Sequence, residues 1–422
     1  MGEKDSDGAL RRDIGFVGSA FLSFNGIVGA GIFALPAALH LQFGAFSPWL
    51  FPLFALLMLP IALPLARLAA LFPMSGGPVA YTAVFGPFVS FQIGWLYYVA
   101  RTAALAANAN VFASYAAALW APAGTMVGRA VLIAVLVGAI TWVNVVGVRR
   151  AIRALDLLTL LKLAPLLALA FWGLASAEAL PAPGPLPSLS GIEAAALLTL
   201  YAFIGFENSL VPAGETANAQ RTIPRALIAT IVCTAFTYFV VQLAYVATMP
   251  AGAQPDAPLA ALATILLGPV GALVLGATAL ASVAGNITGS MTSTPRVTYA
   301  LARDRLLPDW FGRVSARYAT PANSILFMGA LGILLAVTGS FVWLAIISTL
   351  ARLIIYAFSI AALPPSRRRI GLATGIGTLL LIVLGLAVCA WAAAQSAWNA
   401  WAMLFGLALA GGLFYAIARR SQ

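Results

Sequence analysis

Apolar residues gather along this chain into stretches of about 20 or more, separated by short polar breaks. They recur at membrane-spanning length from one end of the chain to the other, the pattern of an integral membrane protein. Twelve such stretches can be delimited, at 14–40, 46–71, 87–119, 129–147, 155–177, 192–216, 225–249, 262–300, 323–338, 341–364, 371–394 and 397–418. Those at 87–119 and 262–300 are longer than a bilayer requires and must tilt or run on beyond it. The predicted fold class is therefore an all-α integral membrane protein with 12 transmembrane helices. The apolar run after the polar residues 1–13 lacks a small-residue cleavage pattern, so it reads as a first spanning helix and not as a removable signal.

Two spans carry defects in matching places. "FNGIVGAGIFALPA" (24–37) places Gly26, Gly29, Gly31 and Pro36 in the first span. "YAFIGFENSLVPAGE" (201–215) places Gly205, Pro212 and Gly214, with Glu207 and Glu215, in the sixth. An interior glycine weakens a helix by roughly 1 kcal/mol relative to alanine and an interior proline by about 3. In a bilayer each freed backbone group must also find a partner without water. Each defect opens a group of five spans, and paired interruptions of this kind point to a transporter built from inverted repeats, with its substrate site at the breaks. An unwound stretch offers N–H groups that attract a carboxylate and carbonyls that can hold an ammonium. A zwitterionic amino acid presents both charges.

Composition narrows the function further. The chain is 62% hydrophobic and 8% charged, with a mean hydropathy of +0.99, which excludes a water-soluble domain. The net charge of +11 is topogenic and needs no nucleic-acid partner. Among the Lys and Arg residues, Arg101, Lys162 and Arg352 lie inside spans and Arg129 lies alone on the outer side; all others fall on one side, assigned to the cytoplasm together with both termini. The expected location is thus the cell (inner) membrane. Cys233 and Cys389 lie in apolar segments, which argues against a disulfide framework or thiolate site, and no metal or cofactor is expected. His40 is expected at the membrane interface, where the first span ends. The basic connection 301–322 is expected to lie along the surface as a short amphipathic helix.

At its two breaks the sequence resembles the amino acid–polyamine–organocation superfamily of secondary transporters. "GIVGAGIFALPA" (26–37) is similar to that family's first-helix signature, and "FIGFENSLVPAGETANAQRTIPRA" (203–226) to its sixth-helix signature. "FPMSGGPVAY" (72–81), "NVVGVRRAIRALDLLTLLKLAP" (144–165) and "STPRVTYALARDRLLPDWFGRVSARYATPANSI" (293–325) agree in order and spacing. The resemblance implies a five-plus-five inverted-repeat core with broken helices 1 and 6. Residues 14–177 would form the first repeat, 192–364 the second, and 371–418 two additional helices after a cytoplasmic segment 1–13. It further implies alternating access and, as is usual in the family, an amino-acid substrate; no accessory subunit is implied. Carried over, the substrate carboxylate meets the backbone at Gly29, Ala30 and Gly31. The ammonium meets carbonyls near Ile27 and near Tyr201, Ala202 and Ile204. Many members have serine where this chain has Ala30, which keeps the N–H but loses a hydroxyl.

Charges inside spans need a partner or a purpose, since each costs about 2.5–3.5 kcal/mol at a helix centre. In sodium-independent transporters that this chain resembles, a lysine in this part of helix 5 takes the place of sodium. Lys162 is therefore expected to contact helix 1 near its break and helix 8 near Asn286, Thr288 and Ser290. Sodium dependence is then not expected; proton coupling through Lys162 and exchange without an ion both stay open. Glu207 bridges helices or titrates, and Glu215 serves an inner gate or a cap. Arg101 pairs with Glu207 in the first reading and meets an acidic substrate group in the second, while Arg352 is structural. Phe203, Phe206, Tyr201 and Tyr98 are expected to close over the substrate. The leading function is a sodium-independent transporter of neutral amino acids, by exchange or proton-coupled uptake, with a polyamine or cationic amino-acid antiporter as the alternative. A polytopic enzyme has little support, because a single histidine and isolated carboxylates offer no cluster at a membrane face. A channel is the remaining option, against which the binding site implied by the breaks weighs.

Overall fold

A computed structural model describes residues 14–72, 77–147, 163–210 and 213–420. Lys162, the segment 1–13 and Pro212, on which expectations were placed, lie outside the described residues. The order of α-helices is α1 (Phe16–Ile27), α2 (Ala30–Phe43), α3 (Leu50–Leu71), α4 (Pro78–Thr82), α5 (Pro87–Leu119), α6 (Met126–Val146), α7 (Leu163–Ser176) and α8 (Leu189–Tyr201). There follow α9 (Ala219–Thr248), α10 (Pro258–Ser293), α11 (Pro295–Arg303), α12 (Ala322–Thr338), α13 (Phe341–Ala361), α14 (Leu363–Arg369), α15 (Ile376–Ala394) and α16 (Trp398–Arg420). Among the described residues, eight helical stretches are long and apolar enough to cross a membrane, and α1, α7 and α12 are shorter apolar helices.

The packing order explains which helices face one another. The long α5 is central, flanked by α13 and α10 and then by α12, while α9 packs on α3, α1 and α7. Rings of Phe33, Phe51, Phe54, Phe91, Tyr98 and Tyr115 are fully buried between these helices. The outer helices show the opposite. On α16, Phe405, Leu409 and Leu413 recur every fourth residue and stay exposed, as do Val131 and Val135 on α6 and Leu379 and Val383 on α15. An apolar surface of that extent belongs against lipid tails.

The predicted excess length at 262–300 resolves as bends, not as one tilted rod. Gly268 adopts φ 68° and is followed by Pro269, which breaks the hydrogen-bond ladder of α10. Pro295 then starts α11 as a separate short helix. The amphipathic helix expected within 301–322 is displaced accordingly: α11 ends at Arg303, and the connection itself carries only a 3-10 turn at Asp309–Gly312. His40 lies near the end of α2, as the sequence suggests. It is buried on α2, its ring edge-on to Tyr245 with centroids 5.8 Å apart, because α9 covers the end of the first span.

Around Pro36, which lacks an N–H, neighbouring helices supply donors. Tyr115 Oη donates to the Phe33 carbonyl at 2.9 Å, and Gln242 Nε2 to the Pro36 carbonyl at 3.1 Å. At the start of the described chain, the Ile14 N–H donates to the Glu215 carbonyl (3.0 Å) and the Ala217 N–H to the Ile14 carbonyl (2.9 Å), forming an isolated bridge. Glu215, expected as a gate or cap, thus contributes its backbone to this clasp.

Candidate functional site

The glycines of the first span divide it. After Ile27, Val28 has ψ 84° and Gly29 lies at φ −124°, ψ −136°, so α1 stops and α2 restarts at Ala30. The Gly29 N–H turns back to the Ile27 carbonyl at 2.8 Å. The Ala30 N–H, an orphan donor at the head of α2, donates to Asn108 Oδ1 of α5 at 3.1 Å. One of the amides expected to meet a carboxylate is thus already engaged by a neutral side chain.

The second interruption follows α8. Residues Ala202, Phe203 and Ile204 wind with bonds back to Thr199, Leu200 and Tyr201 at 3.0, 2.9 and 3.2 Å. Gly205 then takes φ 119°, a conformation that favours glycine, before a 3-10 turn at Phe206–Ser209. The two breaks touch through bare backbone. A Cβ on Gly205 would overlap the Gly26 carbonyl, and a Cβ on Gly26 would overlap the Gly205 carbonyl oxygen and the Asn208 amide. Ser23 ties α1 to the same place, donating to the Phe206 carbonyl (2.9 Å) and lying 2.6 Å from Ser209 Oγ.

A buried ion pair holds the second break. Arg352 Nε on α13 donates to Glu207 Oε1 at 2.9 Å, with both side chains almost fully buried. Glu207 Oε2 accepts from the Gly205 N–H (2.9 Å) and from Tyr356 Oη (2.8 Å). The guanidinium also donates to Ser348 Oγ and to the Ala100 carbonyl (3.3 Å). This corrects the expected Arg101–Glu207 pair: the partner of Glu207 is Arg352, which reaches the break because α13 packs along α5 and α8. Arg101 instead donates to Asn208 Oδ1 at 3.3 Å and to Ser293 Oγ and Thr294 Oγ1 at 3.4 Å.

Both breaks open on one small cavity. Of the expected site residues, Ile27, Gly29, Ala30, Gly31, Tyr201, Ile204 and Arg101 line it. Ala202, Phe203, Phe206 and Glu207 do not. Phe203 packs on Tyr238, Phe206 on Tyr356, and Tyr98 between Trp95 and Phe327, so these rings build the core and do not cover the cavity. Asn108 and Arg352 line it too, though neither was expected in this role; an asparagine inside an apolar helix was the available signal for the first. The enclosed space is about 30 Å³, against the several hundred Å³ of a typical small-molecule site. An amino acid can enter this conformation only if the walls move apart.

An apolar multi-pass bundle whose interrupted helices line an internal polar cavity is the architecture of a membrane transporter. The chain belongs to the amino acid permease family, whose sequence model matches residues 14–364. It is 30% identical to an uncharacterized transporter of Mycobacterium tuberculosis, over 99% of this chain and 95% of the relative. It is 26% identical to a serine/threonine exchanger of Bacillus subtilis, over 78% and 77% of the two chains. It is 28% identical to a branched-chain amino acid permease of the same organism, over 78% and 75%. Family and relatives alike point to a multi-pass membrane transporter with an amino-acid substrate, not to an enzyme.

Proposed function

We propose that the protein is a sodium-independent secondary transporter of amino acids that works by alternating access in the inner membrane, with both termini cytoplasmic. Its twelve spans comprise five-plus-five inverted repeats at 14–177 and 192–364, with two further helices at 371–418. The observation that carries this reading is a cavity shared by two helix interruptions whose backbones touch at Gly26 and Gly205. The substrate carboxylate takes the N–H groups at Gly29, Ala30 and Gly31, displacing the Asn108 carboxamide from Ala30 and the Ile27 carbonyl from Gly29. The ammonium is held by carbonyls near Ile27 and near Tyr201, Ala202 and Ile204, of which Ala202, with Phe203 behind it, is reached only when the walls move apart. Lys162, Glu207, Arg101 and Phe206 serve coupling and gating, and Lys162 in the place of sodium is the reason for expecting no sodium dependence.

The reading disfavours a polyamine or cationic substrate, because the carboxylate at the break, Glu207, is already matched by Arg352. Neutral side chains are those of the substrates named for two relatives. The shortage of free carboxylates that favours them admits an anionic side chain equally. Uptake of labelled amino acids into proteoliposomes, with and without sodium and a pH gradient, tests the proposal. Saturable uptake unaffected by sodium is expected; unsaturable flux would indicate a channel, and a strict sodium requirement would remove the role given to Lys162.

A further inference from the structure

Two guanidinium groups line the cavity, and the described residues bring a single carboxylate to them. Arg352 forms the ion pair with Glu207 and has further donors satisfied by Ser348 and Ala100. Arg101 differs. It is only 7% exposed, yet its three bonds go to uncharged oxygens at 3.3–3.4 Å, and charge-assisted bonds to a carboxylate run about 2.7–2.9 Å. Among the described residues no carboxylate lies within ion-pair distance of it. A buried cation in this position is costly unless an anion joins it, and among the described residues the two guanidinium groups of the lining meet one carboxylate, which Arg352 holds.

We propose that Arg101 is a specificity-determining residue that binds a side-chain carboxylate, and that the transported substrate is therefore an acidic amino acid. This rests on the reading of the cavity as the amino-acid site and names the class that the site selects. The placement on α5 supports it. Arg101, Ala104 and Asn108 follow one another at helical spacing along the wall that faces the cavity. Asn108 marks the level of the Ala30 N–H, where the α-carboxylate binds in the proposed mode. Arg101 lies about 10 Å further along at about 1.5 Å per residue, and Ala104 between them presents only a methyl group. An amino acid fixed by its α-groups at the breaks thus directs its side chain past Ala104 toward the guanidinium, whose planar fork matches a carboxylate in bidentate fashion.

The test uses the full-length protein in proteoliposomes, with labelled L-aspartate, L-glutamate, L-glutamine, L-serine and L-leucine. Wild type is expected to take up aspartate or glutamate in preference to the neutral amino acids. Arg101→Gln should lower acidic uptake at least tenfold and glutamine uptake far less, so that the ratio of glutamate to glutamine uptake falls, and Arg101→Lys should fall between. Preference of the wild type for serine or leucine over both acidic substrates overturns the proposal and leaves the transporter reading intact. So does an equal loss of acidic and neutral uptake in Arg101→Gln, which would make Arg101 a pin between α5, α10 and the second break. Uptake of none of the amino acids overturns the amino-acid reading itself. Should Arg101→Gln fail to fold, thermal stabilisation of the wild type decides: glutamate must stabilise it more than glutamine, and the reverse order refutes the assignment.

Discussion

The two helix interruptions face the same difficulty, backbone polar groups stranded away from water, and meet it with different materials. Between α1 and α2 the orphan Ala30 N–H has one neutral partner, the Asn108 carboxamide. After α8 the Gly205 N–H is bound by Glu207, and that carboxylate is fixed by a guanidinium and a phenol from α13. A single neutral hydrogen bond contributes about 1 kcal/mol net, whereas breaking a buried ion pair costs about 3–5. The first break is therefore the replaceable contact and the second the anchor. A ligand's carboxylate can outcompete an amide, but it has nothing to gain against a carboxylate already in place.

The strongest way to break this contrast is at the point where the two interruptions touch. Gly205→Ala forces a side chain into a left-handed backbone and onto the Gly26 carbonyl. Strain of about 1–3 kcal/mol adds to overpacking of similar size, so little folded protein is expected by size-exclusion chromatography in detergent. Next comes the anchor. Glu207→Gln leaves Arg352 buried without an anion and should lower stability by about 3 kcal/mol, seen as a large drop in melting temperature. Adding Arg352→Met should recover part of that loss, which would identify the pair and not the glutamate alone as the source.

The replaceable contact should respond differently. Asn108→Ala is expected to cost only about 1 kcal/mol, and the freed Ala30 amide should make stabilisation by a saturating amino acid larger than in wild type. A smaller ligand-induced melting shift would show that Asn108 binds substrate instead of standing in for it. The mildest change is Tyr356→Phe, which removes one hydrogen bond to Glu207 while the ion pair remains. A loss of about 0.5–1.5 kcal/mol is expected. A drop as large as that of Glu207→Gln would mean the phenol, not the arginine, carries the anchor.

The interruptions themselves were legible because glycine and proline act locally: Gly29 and Gly205 sit where the helices stop. The partners were less so. Arg352 and Glu207 are 145 residues apart, and helices apolar on every face give no phase from which to read which side turns inward. The same lack of phase hides that Phe203, Phe206 and Tyr98 pack into the core in this conformation, since a ring in a uniformly apolar segment packs equally well in either direction. Asn108 was visible as a polar residue in an apolar helix, but nothing in the sequence told it apart from Asn110, which instead donates to the carbonyls of Ala336 and Gly339.

The clasp of Ile14 between Glu215 and Ala217 has a mechanical meaning. Together with Ser23, which bonds to Phe206 and Ser209, it fastens α1 at two points to the second break and the chain that follows it. Under the alternating access proposed above, these two pieces move as a single lever unless backbone bonds part, so a spectroscopic probe on either should report the same stroke.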